Sequence, residues 1–375
     1  MDNYFVNLSD EDFYSNKLTH IYFTSFVDDK SIDDLISKIK EENKKEDAKP
    51  ILIHICSFGG KLLDGIRFLT IFKISKVPIA TIIDNYSCSA ATFLSISSPY
   101  RVMNRYGYCL LHEYSISGKI NAKRNNFLQN IQETDKYFNT IIEMYLNKTK
   151  YSKKELNELL QHNLFLDYKT CLTKGIVDRV INVEFKSSIN PKLDINKLIK
   201  EPNKVINISL SCNFNSSNVD LSIIKNNDDN NNSHCLIYPN HEECDDNTNI
   251  LDIKNIFKTL NMIPRINMIK TPKIGIIDTP ISIDNLLPLL FTDKIYMYKH
   301  TFIICNLLYF YNMNNSILLD DNIKNTKLLM NFIKFILKTK TKMKKEDIQN
   351  INRKFLILDS LQAREWGLCN EIINV

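Results

Sequence analysis

The chain of 375 residues is poor in glycine: it has 8, about 2% against the roughly 7% of an average protein. Each of the few is therefore expected where a side chain is hard to accommodate. Long apolar runs are also missing. None approaches 18 uncharged residues, so no transmembrane helix is expected. The first residues, MDNYFVNLSDEDFYSN, are acidic and have neither a basic n-region nor an apolar h-region, which argues against a secretory signal. No large charge excess exists: 48 basic and 43 acidic residues leave +5, with no basic stripe to suggest nucleic acid. The nine cysteines are odd in number and without the rhythm of a disulfide framework, which suits a reducing intracellular compartment, cytoplasm or plastid stroma.

What is present is an alternation of strand-like and helix-like segments from about residue 19. HIYFTSF, PILIHIC (50–56) and VPIATIID (77–84) read as strands, the second a continuous apolar run of buried-strand length. SIDDLISKIKEENKK (31–45) reads as an amphipathic helix opened by a serine cap, and KLLDGIRFLTIFKIS (61–75) has helical apolar spacing. SCSAATFLSIS follows as a small-residue helix, YRVMNRYGYCLLHEY (100–114) as strand, turn and strand, and 122–146 as a long helix ahead of the shorter SKKELNELLQ. This order predicts an α/β fold with a mostly parallel sheet. Residues 213–249, rich in Asn and Asp, read as a low-complexity insert.

The sequence also repeats itself. NLFLDYKTCLTKGIVDRVINV (163–183) returns as FLILDSLQAREWGLCNEIINV (355–375) at an offset of 192, with matching Leu, Asp, Gly, Ile, Asn and Val. KPILIHICS (49–57) resembles KVINISLSC (204–212) at an offset of 155, and 62–73 resembles 250–261 at 188. The difference of 33 between those offsets would be the insert. The expected organisation is an N-terminal segment 1–18, a first domain 19–185 and a degenerate copy, 186–375.

Three segments of the first copy carry chemistry. Ser57-Phe58-Gly59-Gly60 ends a buried strand, and a Gly-Gly there lets backbone N–H groups approach a ligand as an oxyanion hole requires. Asn85-Tyr86-Ser87-Cys88-Ser89-Ala90-Ala91 is a strand-to-helix turn, where a serine hydroxyl is exposed at the positive end of a helix. Cys109-Leu110-Leu111-His112-Glu113 puts a histidine at the end of an apolar strand. Alone, Ser89 reads as a helix cap and His112 as a core histidine; together, in this order, they point to nucleophilic catalysis.

The layout resembles the Clp protease proteolytic subunit family over about residues 19–183. Ser57-Phe58-Gly59-Gly60 resembles that family's Ser-Pro-Gly-Gly loop, with Phe58 for proline; Ser87-Cys88-Ser89 resembles its Ala-Ala-Ser turn and Leu110-Leu111-His112 its Met-Ile-His strand end. Phe165-Leu166-Asp167-Tyr168 and Gly175-Ile176-Val177-Asp178 resemble its closing element. The resemblance implies two tandem ClpP/crotonase-like domains, each a twisted, mostly parallel sheet flanked by helices with a handle helix. It implies Ser89 as nucleophile, His112 as general base and the N–H groups of Gly60 and Ala90 as oxyanion hole. At the position of the family's acid stands Asn163, which can orient an imidazole but not neutralise an imidazolium. Asp167 is read as a helix cap.

It further implies a peptide or unfolded-protein substrate, a homo- or hetero-oligomeric ring and an AAA+ unfoldase partner, without cofactor, metal, nucleic acid or membrane. Gly60-Lys61 lacks the rest of a phosphate loop. His234, Cys235, His241 and Cys244 share a short window but match no trusted zinc spacing. In the second copy the oxyanion loop aligns with Phe214-Asn215, the serine with Ile283 beside Ser282, the histidine with Cys305 or Asn306, and the acid with Phe355. An inactive ring subunit is the alternative reading. A crotonase-type acyl-CoA enzyme and a signal-peptide-peptidase-A-like enzyme rank below it.

Overall fold

The computed structural model describes residues 4–114, 124–184, 193, 195–200, 205–209, 234–239, 260, 262–305, 316–351 and 356–374. The chain divides into two compact units, Met1–Asn182 with Asn315–Asn322, and Val183–Asn314 with Ile323–Val375.

In the first unit β1 (Thr19–Phe23), β2 (Ile51–Ser57), β3 (Ile79–Cys88), β4 (Arg101–Asn104) and β7 (Arg179–Ile181) form a parallel ladder in that order. Every residue of β2 is buried, as expected of a strand covered on both faces. The ten-residue β3 divides one edge between two partners. Thr81–Ile83 pair with β4, and Tyr86–Cys88 pair with β5 (Tyr108–Leu110), which in turn pairs antiparallel with β6 (Leu166–Asp167). Between β2 and β3 the register slips by two residues, from Ile55 opposite Ile83 to Ser57 opposite Ser87. The 3-10 turns Phe5–Asn7 and Glu11–Tyr14 bury Phe5 and Phe13 in this unit.

Helix boundaries follow local chemistry. The first helix runs Asp29–Glu42; Asp28 caps it and Ser31 closes a capping box, so the serine expected as the cap is the third helical residue. The single helix expected over 61–75 is instead the turns Leu62–Gly65, Phe68–Ile71 and Phe72–Ile74. After Ile66 the hydrogen bonds change from i−4 to i−3, which tightens and breaks the helix. The small-residue helix is Ala91–Ser97, the long helix Arg124–Lys148, and Lys153–Leu160 follows with a Ser152–Glu155 capping box.

The second unit has its own parallel sheet: β8 (Val205–Ser209), β9 (His234–Tyr238), β10 (Lys273–Ile277), β12 (Lys294–Tyr298) and β15 (Glu371–Ile373), in that spatial order. A second sheet holds β11 (Ile281–Ser282), β13 (Phe302–Cys305) and β14 (Leu356–Asp359), the last pair antiparallel. A long helix, Ser316–Lys340, precedes β14. The offset of 192 recurs in detail. Lys150 N–H donates to the Lys174 carbonyl and Lys342 N–H to that of Trp366. Gly175 (φ +66°) lies against Lys150, and Gly367 (φ +73°) against Lys342. Asp167 and Asp359 each cap the helix that follows.

Two expectations are corrected here. The stretch 213–249 is not wholly an insert, because it contains β9 with Cys235, Leu236 and Ile237 buried; the rest of it lies outside the described residues, apart from 239. The match of 49–57 to 204–212 pairs an inner strand with an edge strand: β8 occupies the edge, as β1 does, and β9 the second place, as β2 does. His234 and Cys235 are successive residues of one strand, so their side chains leave on opposite faces. His241, Cys244, Phe214-Asn215, Asn306 and Phe355 lie outside the described residues. No described helix is long and apolar enough to cross a membrane, and the seven described cysteines are free and buried.

Candidate active site

Ser89 sits between the end of β3 and the helix Ala91–Ser97, with φ +51°; among the described residues it is the only non-glycine with positive φ. A side chain in that region costs about 1–3 kcal/mol and persists only where its surroundings impose it. Those surroundings are visible. Ser89 N–H donates to the Leu110 carbonyl (2.8 Å), which extends the β3–β5 ladder by one residue. Its own carbonyl accepts from Thr92 N–H (2.9 Å) and from the Thr92 hydroxyl (2.6 Å). The Thr92 hydroxyl is also 2.6 Å from the hydroxyl of buried Tyr145, so the long helix is tied to the serine turn.

The glycine loop presses on this turn from β2. Gly59 (φ +95°) lies so close that a Cβ there would meet the Cys88 carbonyl oxygen at 2.5 Å, Ser89 Cβ at 2.7 Å and Ala90 N at 2.9 Å. Gly60 is needed for another contact, since its Cβ would meet the Val27 carbonyl oxygen at 2.3 Å. Val27 N–H donates to the Gly59 carbonyl, and Lys61 N–H to that of Val27. Ser57 Oγ donates to the Ser25 carbonyl (2.6 Å) and accepts from Gly59 N–H (3.2 Å), while Phe58 stacks on Tyr86 at 4.1 Å. Among the described residues, neither Gly60 N–H nor Ala90 N–H donates to another backbone group.

His112 follows β5 by two residues and is partly buried. Burial pushes its pKa below the ordinary value, against a smaller opposing effect from the Glu113 backbone and charge. Burial thus favours the neutral ring over the charged one. No hydrogen bond joins it to Ser89 Oγ among the described residues, a common state of a site without substrate. The β5–β6 register sets Tyr108 opposite Asp167 and Cys109 opposite Leu166. Glu113 N–H donates to the Leu160 carbonyl (2.8 Å), which keeps the two segments together beyond the strands. Asn163 is exposed, and its N–H donates to Asp321 Oδ2 (2.8 Å); Asp321 Oδ1 is 2.9 Å from His162 Nδ1. Asp167 is occupied as a cap, accepting from Thr170 N–H (2.9 Å) and the Thr170 hydroxyl (2.7 Å).

Sequence reasoning did not find Thr92, Tyr145 or Asp321. A small-residue helix and a long amphipathic one carry no sign of which hydroxyls will meet, and Asp321 is 158 residues from Asn163 in the chain.

The family model described as Clp protease matches residues 11–184. The ATP-dependent Clp protease proteolytic subunit 1 of Protochlamydia amoebophila (strain UWE25) is 25% identical over 164 residues, 43% of this chain and 80% of that protein. The subunit of the same description from Chlamydia pneumoniae is 22% identical over 163 residues, 43% of this chain and 85% of that one. A solved mutant ClpP1 from Listeria monocytogenes shares 16% identity at a TM-score of 0.38, covering 46% of this chain and 95% of the other. The family match takes in the whole parallel ladder from β1 to β7, and residues 11–184 are a Clp protease family domain.

Proposed function

We propose that the first unit is a ClpP-like serine peptidase that cleaves peptide bonds in unfolded proteins or peptides. The observation that carries this reading is the left-handed Ser89 turn, pressed by Gly59 and hydrogen-bonded to the strand that leads to His112. In the proposed reaction Ser89 Oγ attacks the carbonyl carbon and His112 takes its proton. The N–H groups of Gly60 and Ala90 stabilise the oxyanion. The C–N bond then breaks, His112 protonates the leaving amine, and water hydrolyses the acyl-enzyme with His112 again as base. Asn163 would orient the imidazole without neutralising it.

The second unit is proposed to be a non-catalytic copy of the same fold. The like order of five parallel strands, the long helix before the antiparallel pair, and the paired glycine, lysine and aspartate geometries at an offset of 192 support this. Assembly into a homo- or hetero-oligomeric ring served by an AAA+ unfoldase is proposed from the family relationship. A second reading, an inactive ring subunit, draws on Asn163 at the acid position.

A fluorophosphonate probe decides between the two readings. A mass-mapped adduct on Ser89, lost in Ser89→Ala, is the expected result. A folded protein that stays unlabelled, alone and with candidate ring partners, overturns the peptidase reading.

A further inference from the structure

The glycine loop has two successive residues without side chains, and glycine is the freest backbone unless its surroundings hold it. On one side the loop is tied to the segment after β1. Val27 N–H donates to the Gly59 carbonyl (2.9 Å), Lys61 N–H to the Val27 carbonyl (2.8 Å), and Ser57 Oγ to the Ser25 carbonyl (2.6 Å). On the β3 side Gly59 lies against the serine turn, and Phe58 adds an aromatic tie. Its ring stacks on Tyr86 with centres 4.1 Å apart and planes 23° from parallel. Phe58 is half-buried and Tyr86 only 3% exposed. Ser57 lies opposite Ser87 in the β2–β3 ladder, so Phe58 and Tyr86, each one residue away, leave the sheet on the same face.

The aromatic contacts continue across the sheet. Tyr86 stands opposite Tyr108 of β5, and Tyr108 meets Phe165 edge-on at 6.4 Å. The row Phe58, Tyr86, Tyr108 and Phe165 thus crosses from the end of β2 through β3 and β5 to the approach to β6. Its members stand, in turn, close in sequence to the glycine pair, to Ser89, to His112 and to Asn163.

We propose that the Phe58–Tyr86 stack is the clamp that holds the glycine loop at its distance from the serine turn, with Phe58 and Tyr86 as positioning residues of the site. Phenylalanine stands where the resembled loop has proline, whose ring restricts φ covalently. Here the restriction comes from contact between two side chains. Tyr108 and Phe165 extend the same support to the strand leading to His112 and to the segment after Asn163. The clamp fixes the loop whether or not Ser89 reacts; its use in presenting the Gly60 N–H to an oxyanion rests on the peptidase reading.

Amide hydrogen exchange of the full chain tests the clamp directly. In Phe58→Leu and in Tyr86→Leu the Gly59 and Lys61 amides should exchange about three- to tenfold faster, the range set by the loss of one aromatic pair. The amides of Ile51–Ile55 should keep their rates. Combining the two changes should add little to either alone, because both remove the same contact. Phe58→Pro in the Tyr86→Leu background should restore slow exchange in the loop. Unchanged loop amides, or equal acceleration throughout β2, overturn the proposal. If neither leucine variant folds, ring-to-ring NOEs between Phe58 and Tyr86 in the wild type decide, and their absence overturns it.

Fluorophosphonate labelling gives a second readout. The maximal rate at Ser89 should fall by a similar factor in each leucine variant, with an unchanged half-saturation concentration, and Phe58→Pro should recover it. A loss confined to probe binding overturns the positioning role. An unlabelled wild type counts against the peptidase reading alone, and the exchange rates still judge the clamp.

Discussion

Gly59 has no room for a β-carbon, because Ser89 Cβ would lie 2.7 Å away and the Cys88 carbonyl oxygen 2.5 Å away. The nearer obstruction, the Cys88 carbonyl oxygen, is backbone, and φ at Gly59 is +95°. Gly59→Ala is therefore expected to destabilise the first unit by about 2–4 kcal/mol, through combined strain and overpacking. It should also abolish labelling at Ser89. Denaturant unfolding alongside probe labelling reads both effects, and an unchanged midpoint would contradict the packing described.

The histidine sets a pH dependence. In the proposed mechanism the neutral form of His112 is the base, and burial lowers its pKa from the ordinary 6.5. Labelling at Ser89 should therefore keep its plateau as pH falls past 6.5 and decline only below it. A rate that halves above pH 6.5 would mean that another group controls the serine.

At Asn163 the expected change is a gain. In a chymotrypsin-type serine protease, exchange of the triad Asp for Asn lowers kcat about 10⁴-fold. Asn163→Asp puts a carboxylate where the family resemblance places the acid and should raise the labelling rate, by tenfold or more and at most about 10⁴-fold. No gain would argue that Asn163 does not face the ring.

Tyr145 offers a test of position without chemistry. Its hydroxyl meets Thr92, whose own hydroxyl bonds the Ser89 carbonyl. Tyr145→Phe is expected to cost about 1–2 kcal/mol, the usual price of a lost buried hydrogen bond. The labelling rate should fall by a larger factor than noncovalent probe binding does. A stability loss with unchanged labelling would limit the contact to packing.

The parallel core was legible because strands buried on both faces read as unbroken apolar runs, as ILIHICS and VPIATIID do. The serine turn and glycine loop were legible through small residues placed where strands end. The division of one edge of β3 between β4 and β5 was not, since it depends on a sheet partner far along the chain. Apolar periodicity over 61–75 promised one helix, yet Gly65 is close-packed against Phe93 and Ala90 and the segment breaks into short turns. Composition concealed β9, because five strand residues are diluted by the Asn-rich sequence on both sides. His54 was visible as a polar residue in an apolar strand, but the side chains it meets, Asp84 and His20, stand 30 and 34 residues away.

The strained φ of Ser89 has a consequence for timing. An isolated or half-folded chain has no reason to keep a serine in the left-handed region, and the turn relaxes wherever Gly59, Leu110 and Thr92 are not yet assembled around it. A reactive hydroxyl at this position therefore comes into being only when the sheet is complete. Under the proposed peptidase reading, a nascent chain would carry no competent serine until the sheet around that turn has closed.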